Sequence, residues 1–194
     1  MGEPPGKRSA PATQADLDAV PEGMTAELIA GELYSFSRPG GHHAKAEGIL
    51  LADLGSPFMR GRGGPGGWWI LPEPKLQLRA DFVSPDLAGW RRERMPEVPG
   101  TAFFSLPPDW ICEVLSPSTA KHDRARKMPL HAAAGVTWLW LLDPLAQLLE
   151  VFHLGSRKLW ELEHVFEGDA VVRAAPFEAV ELELAALWIQ EAGA

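Results

Sequence analysis

The sequence has very little cysteine and no long apolar run. Cys112 is the only cysteine in 194 residues, which excludes an intramolecular disulfide framework and a zinc site built from several cysteines. The most apolar stretch, Val136 to Asp143, is far too short to span a bilayer, and the first twenty residues contain no apolar run like that of a signal peptide. These features predict a cytoplasmic protein with no membrane partner.

The chain is long enough to bury a core as one domain. Its composition, 46% hydrophobic and 23% charged, is typical of a globular protein. Residues 1–22 are rich in proline, glycine, alanine and small polar residues, so we expect a disordered tail there. Residues 23–194 are predicted to form a single domain.

Acidic and basic residues are distributed unevenly along the chain. The net charge of −8 argues against a simple basic protein that coats nucleic acid. Residues 60–127 nevertheless hold 11 of the 18 basic residues and 8 of the 26 acidic ones, a local net charge of +3, against −11 for the rest. The middle of the chain can therefore receive a polyanion, although charge runs are also common on solvated faces.

Hydrophobic periodicity predicts an α/β order of helix, three strands, helix and strand, with β-hairpins at both ends. The predicted elements are a hairpin at 26–36, a helix at 42–55, strands at 68–78, 81–90 and 109–116, a helix at 117–127, a strand at 136–143, and a hairpin at 148–166. A short strand and helix are expected near residues 187–188. Pro129 is expected to interrupt the second helix or to separate two short ones.

Carboxylates occupy three notable places in the predicted strands. Glu113 lies in the middle of an apolar strand, where a charge is costly unless it is paired or binds a metal. Asp86 ends the second strand and Glu73 lies in the first. Because the segments that carry Asp86 and Glu113 can pair as neighbours, two carboxylates can converge there on Mg²⁺ or Mn²⁺, which prefer oxygen ligands.

Lys127 is the best-placed cation for such a site. On the second helix, Asp123, Lys127 and His131 share one face if the helix stays regular. A lysine there can stabilise charge that develops on a phosphate. Structural interpretations stay open as well: a surface ion pair between Asp123 and Lys127, a turn role for Asp86, and a buried salt bridge between Glu113 and a cation.

Five motifs in this order resemble the Uma2 family, within the PD-(D/E)xK nuclease superfamily. They are W-x-I-L-P-E-P at 68–74, S-P-D-L-A-G-W at 84–90, P-D-W-I-C-E-V-L-S-P-S-T at 108–119, D-R-x-x-K at 123–127, and G-V-T-W-L-W-L-L-D-P at 135–144. The resemblance covers about residues 22–190. It implies a restriction-endonuclease-like α/β core, with a mixed sheet flanked by helices, and Mg²⁺-dependent hydrolysis of phosphodiester bonds in DNA rather than RNA.

The resemblance also implies roles for particular residues. Asp86 and Glu113 match the metal-binding acids, and Glu73 matches an acid of the first core strand that is a further ligand or orients one. All three would act in catalysis together with a lysine. In the superfamily that lysine stands two residues after the acid, a position that Leu115 holds here. Lys127 matches the lysine that Uma2-like sequences carry on the following helix.

Several interpretations remain open from the sequence. The protein is a nuclease, a nuclease fold without turnover that binds nucleic acid or a protein partner, or a fold whose carboxylates serve only in ion pairs. His43 borders the site, in line with the resemblance, or is a polar residue at a helix start. Trp90, beside Arg91 and Arg92, stacks on a base or anchors a loop. The apolar hairpin at 148–166 leaves a homodimer open.

Overall fold

A capped helix lies in the segment predicted to be a disordered tail. The computed structural model describes residues 10–37 and 40–189, so the first nine residues of the predicted tail lie outside the described residues. Gln14–Asp18 forms a short helix, α1, which corrects the expectation for that part. Its capping box explains the order, because the Thr13 backbone N–H donates to the Asp16 carboxylate at 2.9 Å.

Strands make up most of the regular structure in the described residues. They are β1 (Met24–Ile29), β2 (Glu32–Ser37), β3 (Trp68–Pro72), β4 (Leu76–Leu78), β5 (Asp81–Val83), β6 (Leu87–Arg91), β7 (Trp110–Val114), β8 (Trp138–Asp143), β9 (Leu148–Leu154), β10 (Trp160–Glu167), β11 (Val171–Val172) and β12 (Leu182–Glu183). The further helices are α2 (Gly41–Leu54), α3 (Ala120–His122) and α4 (Met128–Ala134). π-helical turns follow α2 at Gly55–Met59 and α3 at Asp123–Lys127, and a 3₁₀ turn occupies Leu184–Leu187. The predicted α/β class, a mixed sheet with helices and extra hairpins, is confirmed.

A six-stranded mixed sheet forms the centre of the fold, in the order β10-β9-β8-β7-β6-β3. β7 and β8 are parallel, and the other neighbours in this sheet are antiparallel. All of β7 is buried, because both faces of the sheet are covered. Alternate β7 residues point into two separate apolar clusters, Trp110 and Val114 into one and Ile111 into the other.

Two long strands predicted from alternation are each divided between two sheets. The segments 68–78 and 81–90 contribute β3 and β6 to the six-stranded sheet, and β4 and β5 to a four-stranded sheet of order β2-β1-β5-β4. Prolines stand at both breaks, where a missing N–H donor prevents a continuous ladder. Glu73 lies in the first break with φ at +43°, so its predicted place inside a strand is wrong. Pro85 lies in the second.

The helical predictions are confirmed, with one helix longer than expected. The helix predicted at 42–55 is α2. After Ala120 the chain stays helical as far as Ala134, and the π turn at Asp123–Lys127 lies within this run. Pro129 does not break it, since it stands in the first turn of α4, where a backbone N–H is not needed. Of the two expectations for this proline, an interrupted helix is wrong, whereas two short α-helices are present as α3 and α4, with the π turn between them.

The hairpin predicted at 148–166 is confirmed as β9 and β10. Leu149 and Val151 of β9 are buried in the core, whereas Leu162 and Val165 of β10 are exposed at the edge of the sheet. Across the described parts of the chain, no helix has both the length and the apolar character needed to cross a membrane.

Candidate active site

Asp86 and Glu113 lie side by side where the two larger sheets meet. β6 pairs with β7 so that Leu87 is opposite Cys112, which brings Asp86, one residue earlier, next to Glu113 in register. The Val114 backbone N–H donates to Asp86 Oδ2 at 2.7 Å and fixes that carboxylate to the end of β7. The structure therefore brings the two predicted acids together.

Lys127 reaches the same point from the π turn that follows α3. Its Nζ donates to Glu113 Oε2 at 2.6 Å and to the Ser84 carbonyl oxygen at 3.2 Å. The side chain of Lys127 is 6% exposed and that of Glu113 is 1% exposed, so the contact is shielded from water. Leu115, two residues after Glu113, is buried in apolar surroundings and cannot supply a cation.

Glu27 also contacts Lys127, and sequence reasoning missed it. Glu27 Oε1 accepts the Ser84 backbone N–H at 3.1 Å and lies 3.4 Å from Lys127 Nζ. Its Oε2 lies 2.7 Å from His122 Nε2. A signal was available, because alternation along β1 places Glu27 on the same face as the buried Ile29.

The helix face predicted to carry Asp123, Lys127 and His131 is confirmed, and it faces inwards. Asp123 Oδ1 lies 3.7 Å from Lys127 Nζ, and both residues are buried, so the predicted surface ion pair is instead internal. His131 Nε2 lies 3.3 Å from Glu113 Oε1. Burial, reinforced by the Lys127 charge, lowers the pKa of His131 to about 3, and we assign a neutral imidazole that donates from Nε2 to Glu113.

A second group of acids lies beside Asp86. His43 Nε2 is 3.2 Å from Asp86 Oδ2, so His43 borders this site. Glu47 follows one turn later on α2, and Glu73 lies nearby between β3 and β4. Burial, together with the charges of Asp86 and Glu73, raises the pKa of Glu47 to about 7. Sequence reasoning missed Glu47, although its place four residues after His43 puts both on one helix face.

Most of these groups line one cleft with a volume of about 1430 Å³, whereas Glu113 and His131 are buried behind its wall. Its walls come from the β1–β2 hairpin, the start of α2, the two strand breaks and the segment that leads into α3. The acidic residues that line it are Asp18, Glu22, Glu27, Glu47, Glu73, Asp86 and Asp123, and the lysines are Lys75 and Lys127. The cleft therefore carries an excess of negative charge.

The excess of negative charge contributes to the shifted pKa values of Lys127 and Glu113. Burial would lower the pKa of Lys127, but the surrounding carboxylates, Glu113 foremost, raise it well above its ordinary value and keep the ammonium charged. Burial raises the pKa of Glu113, with Lys127 opposing and Asp123 and Asp86 adding to the rise. Carboxylates that repel one another in this way fit a hard divalent cation such as Mg²⁺.

The acids do not form a closed metal cage. Within residues 10–37 and 40–189, no group of three or more His, Cys, Asp or Glu side chains is arranged to hold a metal ion. A Mg²⁺ ion does not require one, because proteins often hold it through one or two carboxylates with several waters. The carboxylate oxygens around Asp86 suit binding of Mg²⁺ in this way, with water molecules as the remaining ligands.

Trp90 is not part of the cleft. It is fully buried, and its indole Nε1–H donates to the Leu106 carbonyl oxygen at 2.9 Å. Its ring stacks on Phe104 with the centroids 5.0 Å apart. The loop-anchor interpretation of Trp90 is therefore right, and the base-stacking interpretation is wrong.

Comparison with known proteins identifies the family of this chain. The sequence matches the family Uma2, described as "Putative restriction endonuclease", over residues 14–186. The chain belongs to the Uma2 family. The resemblance carried by the five sequence motifs is thereby confirmed. A comparison with curated proteins found no match.

The fold of this Uma2 protein is also found in a solved structure. A crystal structure from Anabaena variabilis ATCC 29413, described as "a putative nuclease belonging to DUF820", superposes with a TM-score of 0.73 at 22% sequence identity. The match covers 92% of this chain and 98% of that one. At this identity the likeness shows that the two proteins share a fold, and it confirms the predicted nuclease-like core.

Proposed function

We propose that this Uma2 protein is a metal-dependent endonuclease that hydrolyses phosphodiester bonds of DNA. The observation that carries the proposal is that Lys127 and Asp86 line an acidic cleft, with Glu113 buried directly behind them in contact with Lys127. Phosphodiester hydrolysis needs an activated water and stabilisation of the charge that develops on the phosphate. A carboxylate pair that can hold a metal, next to a lysine, supplies groups for both needs.

Asp86 and Glu113 are the proposed ligands of Mg²⁺ or Mn²⁺, and Glu73 is proposed as a further ligand or as a residue that orients one. A bound divalent cation would polarise the phosphodiester and lower the pKa of a water molecule. Asp86 is well oriented for this role, because the Val114 N–H and His43 hold its Oδ2. Glu73 is tied to the same place, since its backbone N–H donates to the Asp86 carbonyl oxygen at 2.8 Å.

Lys127 is proposed to stabilise negative charge on the phosphate during hydrolysis. The carboxylates around it keep it as an ammonium, which is the form needed for that role. Its Nζ is shared between Glu113 and the Ser84 carbonyl oxygen. Because an ammonium has three N–H donors, the third, with Glu27 Oε1 3.4 Å from Nζ, can bond a substrate oxygen while these two bonds are kept.

A cleavage assay tests the proposal. Supercoiled and single-stranded DNA are incubated with Mg²⁺, Mn²⁺ or EDTA and with wild type, Asp86→Asn or Lys127→Met. Lys121→Met and Glu163→Gln are matched controls, because both side chains are exposed and lie outside the cleft. We expect metal-dependent nicking by wild type and both controls, and none by Asp86→Asn, Lys127→Met or any protein in EDTA.

Other outcomes would change the proposal in defined ways. Loss of nicking with Asp86→Asn alone would keep the enzyme and remove Lys127 from its chemistry. A folded wild type that cleaves neither DNA with either metal would reject the proposal. Because one site cuts one strand at a time, double-strand cleavage would require a homodimer or two encounters, which sedimentation at assay concentration distinguishes.

A nuclease fold that binds nucleic acid or a protein partner without turnover is the alternative function. Glu113 favours it in one respect, because Lys127 and His131 engage both of its oxygens. Calorimetric titration with Mn²⁺ separates the two functions. Binding of the ion that is lost in Asp86→Asn supports the enzyme, whereas DNA binding that is equal in EDTA and in Mn²⁺, without cleavage, supports the binding module.

A further inference from the structure

Lys127 needs an external anchor to stay at the site. It extends from a π-helical turn, not from β7, and a lysine has a flexible four-carbon stem with many rotamers. Glu113 holds its Nζ from one side at 2.6 Å. Asp123 is on the same turn and lies farther away, at 3.7 Å. The Ser84 carbonyl oxygen accepts a further hydrogen bond from Nζ at 3.2 Å but carries no charge, and none of these three contacts by itself fixes the ammonium in three dimensions.

Glu27 supplies that anchor from the N-terminal hairpin. Its Oε1 lies 3.4 Å from Lys127 Nζ. Among the described residues, it is the carboxylate within 4.0 Å of Nζ that comes from neither β7 nor the turn of Lys127 itself. It therefore approaches the lysine from the four-stranded sheet, while Glu113 approaches from the six-stranded sheet.

Glu27 is itself held rigidly. The Ser84 backbone N–H donates to its Oε1, and His122 contacts its Oε2 at 2.7 Å. The His122 ring lies between Tyr34 and Phe36 of β2, with centroids 4.6 and 4.8 Å away. Since the side chain of Glu27 is only 3% exposed, these partners restrict it to one orientation.

We propose that Glu27 is a positioning residue, which holds the Lys127 ammonium against Glu113 and acts on the reaction only through that lysine. Its effect on turnover rests on the proposed nuclease function. Its effect on the geometry of Lys127 does not, and the two can be measured separately. A buried carboxylate whose oxygens face a lysine, a histidine and a backbone amide is expected to fix that lysine more strongly than a neutral amide would.

The test uses Glu27→Gln, with Glu32→Gln as the matched control on the same hairpin. Glu32 is exposed and contacts Tyr34, not the lysine. The first readout is the proton–nitrogen NMR signal of the Lys127 ammonium, assigned by its loss in Lys127→Arg. We expect this signal to shift and broaden in Glu27→Gln and to stay unchanged in Glu32→Gln.

The second readout is the kinetics of DNA cleavage. Displacing a reacting group by about 1 Å can reduce turnover by up to about 100-fold, so we expect Glu27→Gln to lower kcat at least about tenfold with KM within about twofold of wild type. If Glu27→Gln fails to fold, His122→Phe keeps Glu27 and an aromatic ring against Tyr34 and Phe36 but removes the 2.7 Å contact. That variant is then expected to move the Lys127 signal in the same direction.

Each outcome decides one of the two proposals. A folded Glu27→Gln with an unchanged Lys127 signal overturns the positioning role, whatever happens to kcat. A changed Lys127 signal in a protein whose wild type cleaves no DNA upholds the positioning role and rejects the nuclease function. A changed signal with kcat and KM both unaffected overturns the claim that Glu27 acts on the reaction.

Discussion

At the scale of single residues, Glu73 has a strained backbone in the middle of the cleft. Its φ of +43° lies in the left-handed region, which residues with a side chain rarely adopt. Its two proline neighbours and its hydrogen bond to the Asp86 carbonyl oxygen hold it there. Strain of this kind gathers at functional sites, which agrees with the proposed role of Glu73 in binding the metal.

A pair of substitutions measures this strain. Glu73→Ala and Glu73→Gly both remove the carboxylate, but glycine adopts positive φ without a steric penalty. We expect Glu73→Gly to be more stable than Glu73→Ala by about 1 kcal/mol in urea unfolding. An alanine variant as stable as the glycine variant would show that the backbone at this position is relaxed.

Glu27 couples the stability of the fold to pH. Burial would raise its pKa, but Lys127, His122 and the Ser84 amide outweigh burial and lower the pKa from 4.5 to about 2. Because the folded-state pKa is below the unfolded value, the stabilisation is complete above about pH 4.5 and is lost as the pH falls towards 2. A shift of this size corresponds to about 3 kcal/mol at neutral pH.

This coupling predicts a pH-dependent cost of Glu27→Gln. Urea unfolding at pH 7 should show a large loss of stability, and the loss at pH 3 should be clearly smaller, because the unfolded wild type then binds the proton. Glu32→Gln, with its exposed side chain, should show little loss at either pH. Equal losses for Glu27→Gln at pH 7 and pH 3 would contradict the lowered pKa.

Individual residues of the site differed in how far the sequence could predict them. Glu113 could be found because a charge in an apolar strand is unusual, and Lys127 because it shares a helix face with Asp123. Alternation along β1 could indicate that Glu27 is buried, but not its role, since its partners lie 57 to 100 positions away along the chain. The contact between β1 and the Lys127 turn exists only in the folded protein.

At the scale of elements, a glycine lets strand β6 pack closely against the rings of two tryptophans. Gly89 lies between Ile70 of β3 and Trp110 of β7 in register. A Cβ added at Gly89 would come within 3.1 Å of the Trp110 ring and 3.2 Å of the Trp68 ring, closer than ordinary van der Waals contact. The tight packing of both rings against β6 depends on the absence of that atom.

Two glycine substitutions are therefore expected to have opposite effects. Gly89→Ala should lower stability by about 1–3 kcal/mol through overpacking. Gly48→Ala, on the exposed face of α2 with no atom within 4 Å of the new Cβ, should raise stability by up to about 1 kcal/mol. Thermal unfolding of both variants tests this, and a Gly89→Ala protein as stable as wild type would show that the rings move aside.

The sequence predicted which elements exist better than where strands change sheets. The hydrophobic pattern of 68–78 and 81–90 contains no sign of two partner sheets, since β3 and β4 alternate in burial and β6 is buried on both faces. The prolines at the breaks were visible, yet a proline marks an edge or a bulge as often as a crossing between sheets. Tertiary packing decides which sheet each half of these segments joins, and the hydrophobic periodicity of the sequence carries no information about that choice.

At the scale of the whole molecule, uncompensated negative charge in the cleft should couple metal binding to stability. Glu47 has its pKa raised to about 7 by burial and by the charges of Asp86 and Glu73. Under the proposed metal site, Mg²⁺ at about 100 times its Kd would add about 2.7 kcal/mol to the stability of the fold. EDTA should reverse this increase.

In the metal-free protein, substitutions of single acidic residues distinguish a carboxylate that repels its neighbours from a carboxylate that pairs with Lys127. Glu47→Gln should raise the melting temperature in EDTA, because it relieves repulsion. Glu113→Ala should lower stability by about 3–5 kcal/mol, because it leaves the buried Lys127 without its nearest partner. Asp86→Asn should abolish the increase in melting temperature with Mg²⁺. A Mg²⁺ effect that persists in Asp86→Asn would place the ion elsewhere.

The order of the site residues along the chain bears on synthesis of the protein. The cluster draws on positions from Glu27 to His131, and its lysine is encoded after both Asp86 and Glu113. A nascent chain on the ribosome that has emerged only as far as β7 holds the acids but not the cation. The contact between Lys127 and Glu113 can form only after the π turn that follows β7 has been synthesised. Under the proposed nuclease function, chains that stop before Lys127 are therefore expected to cleave no DNA, which the cleavage assay on a chain truncated after residue 126 tests.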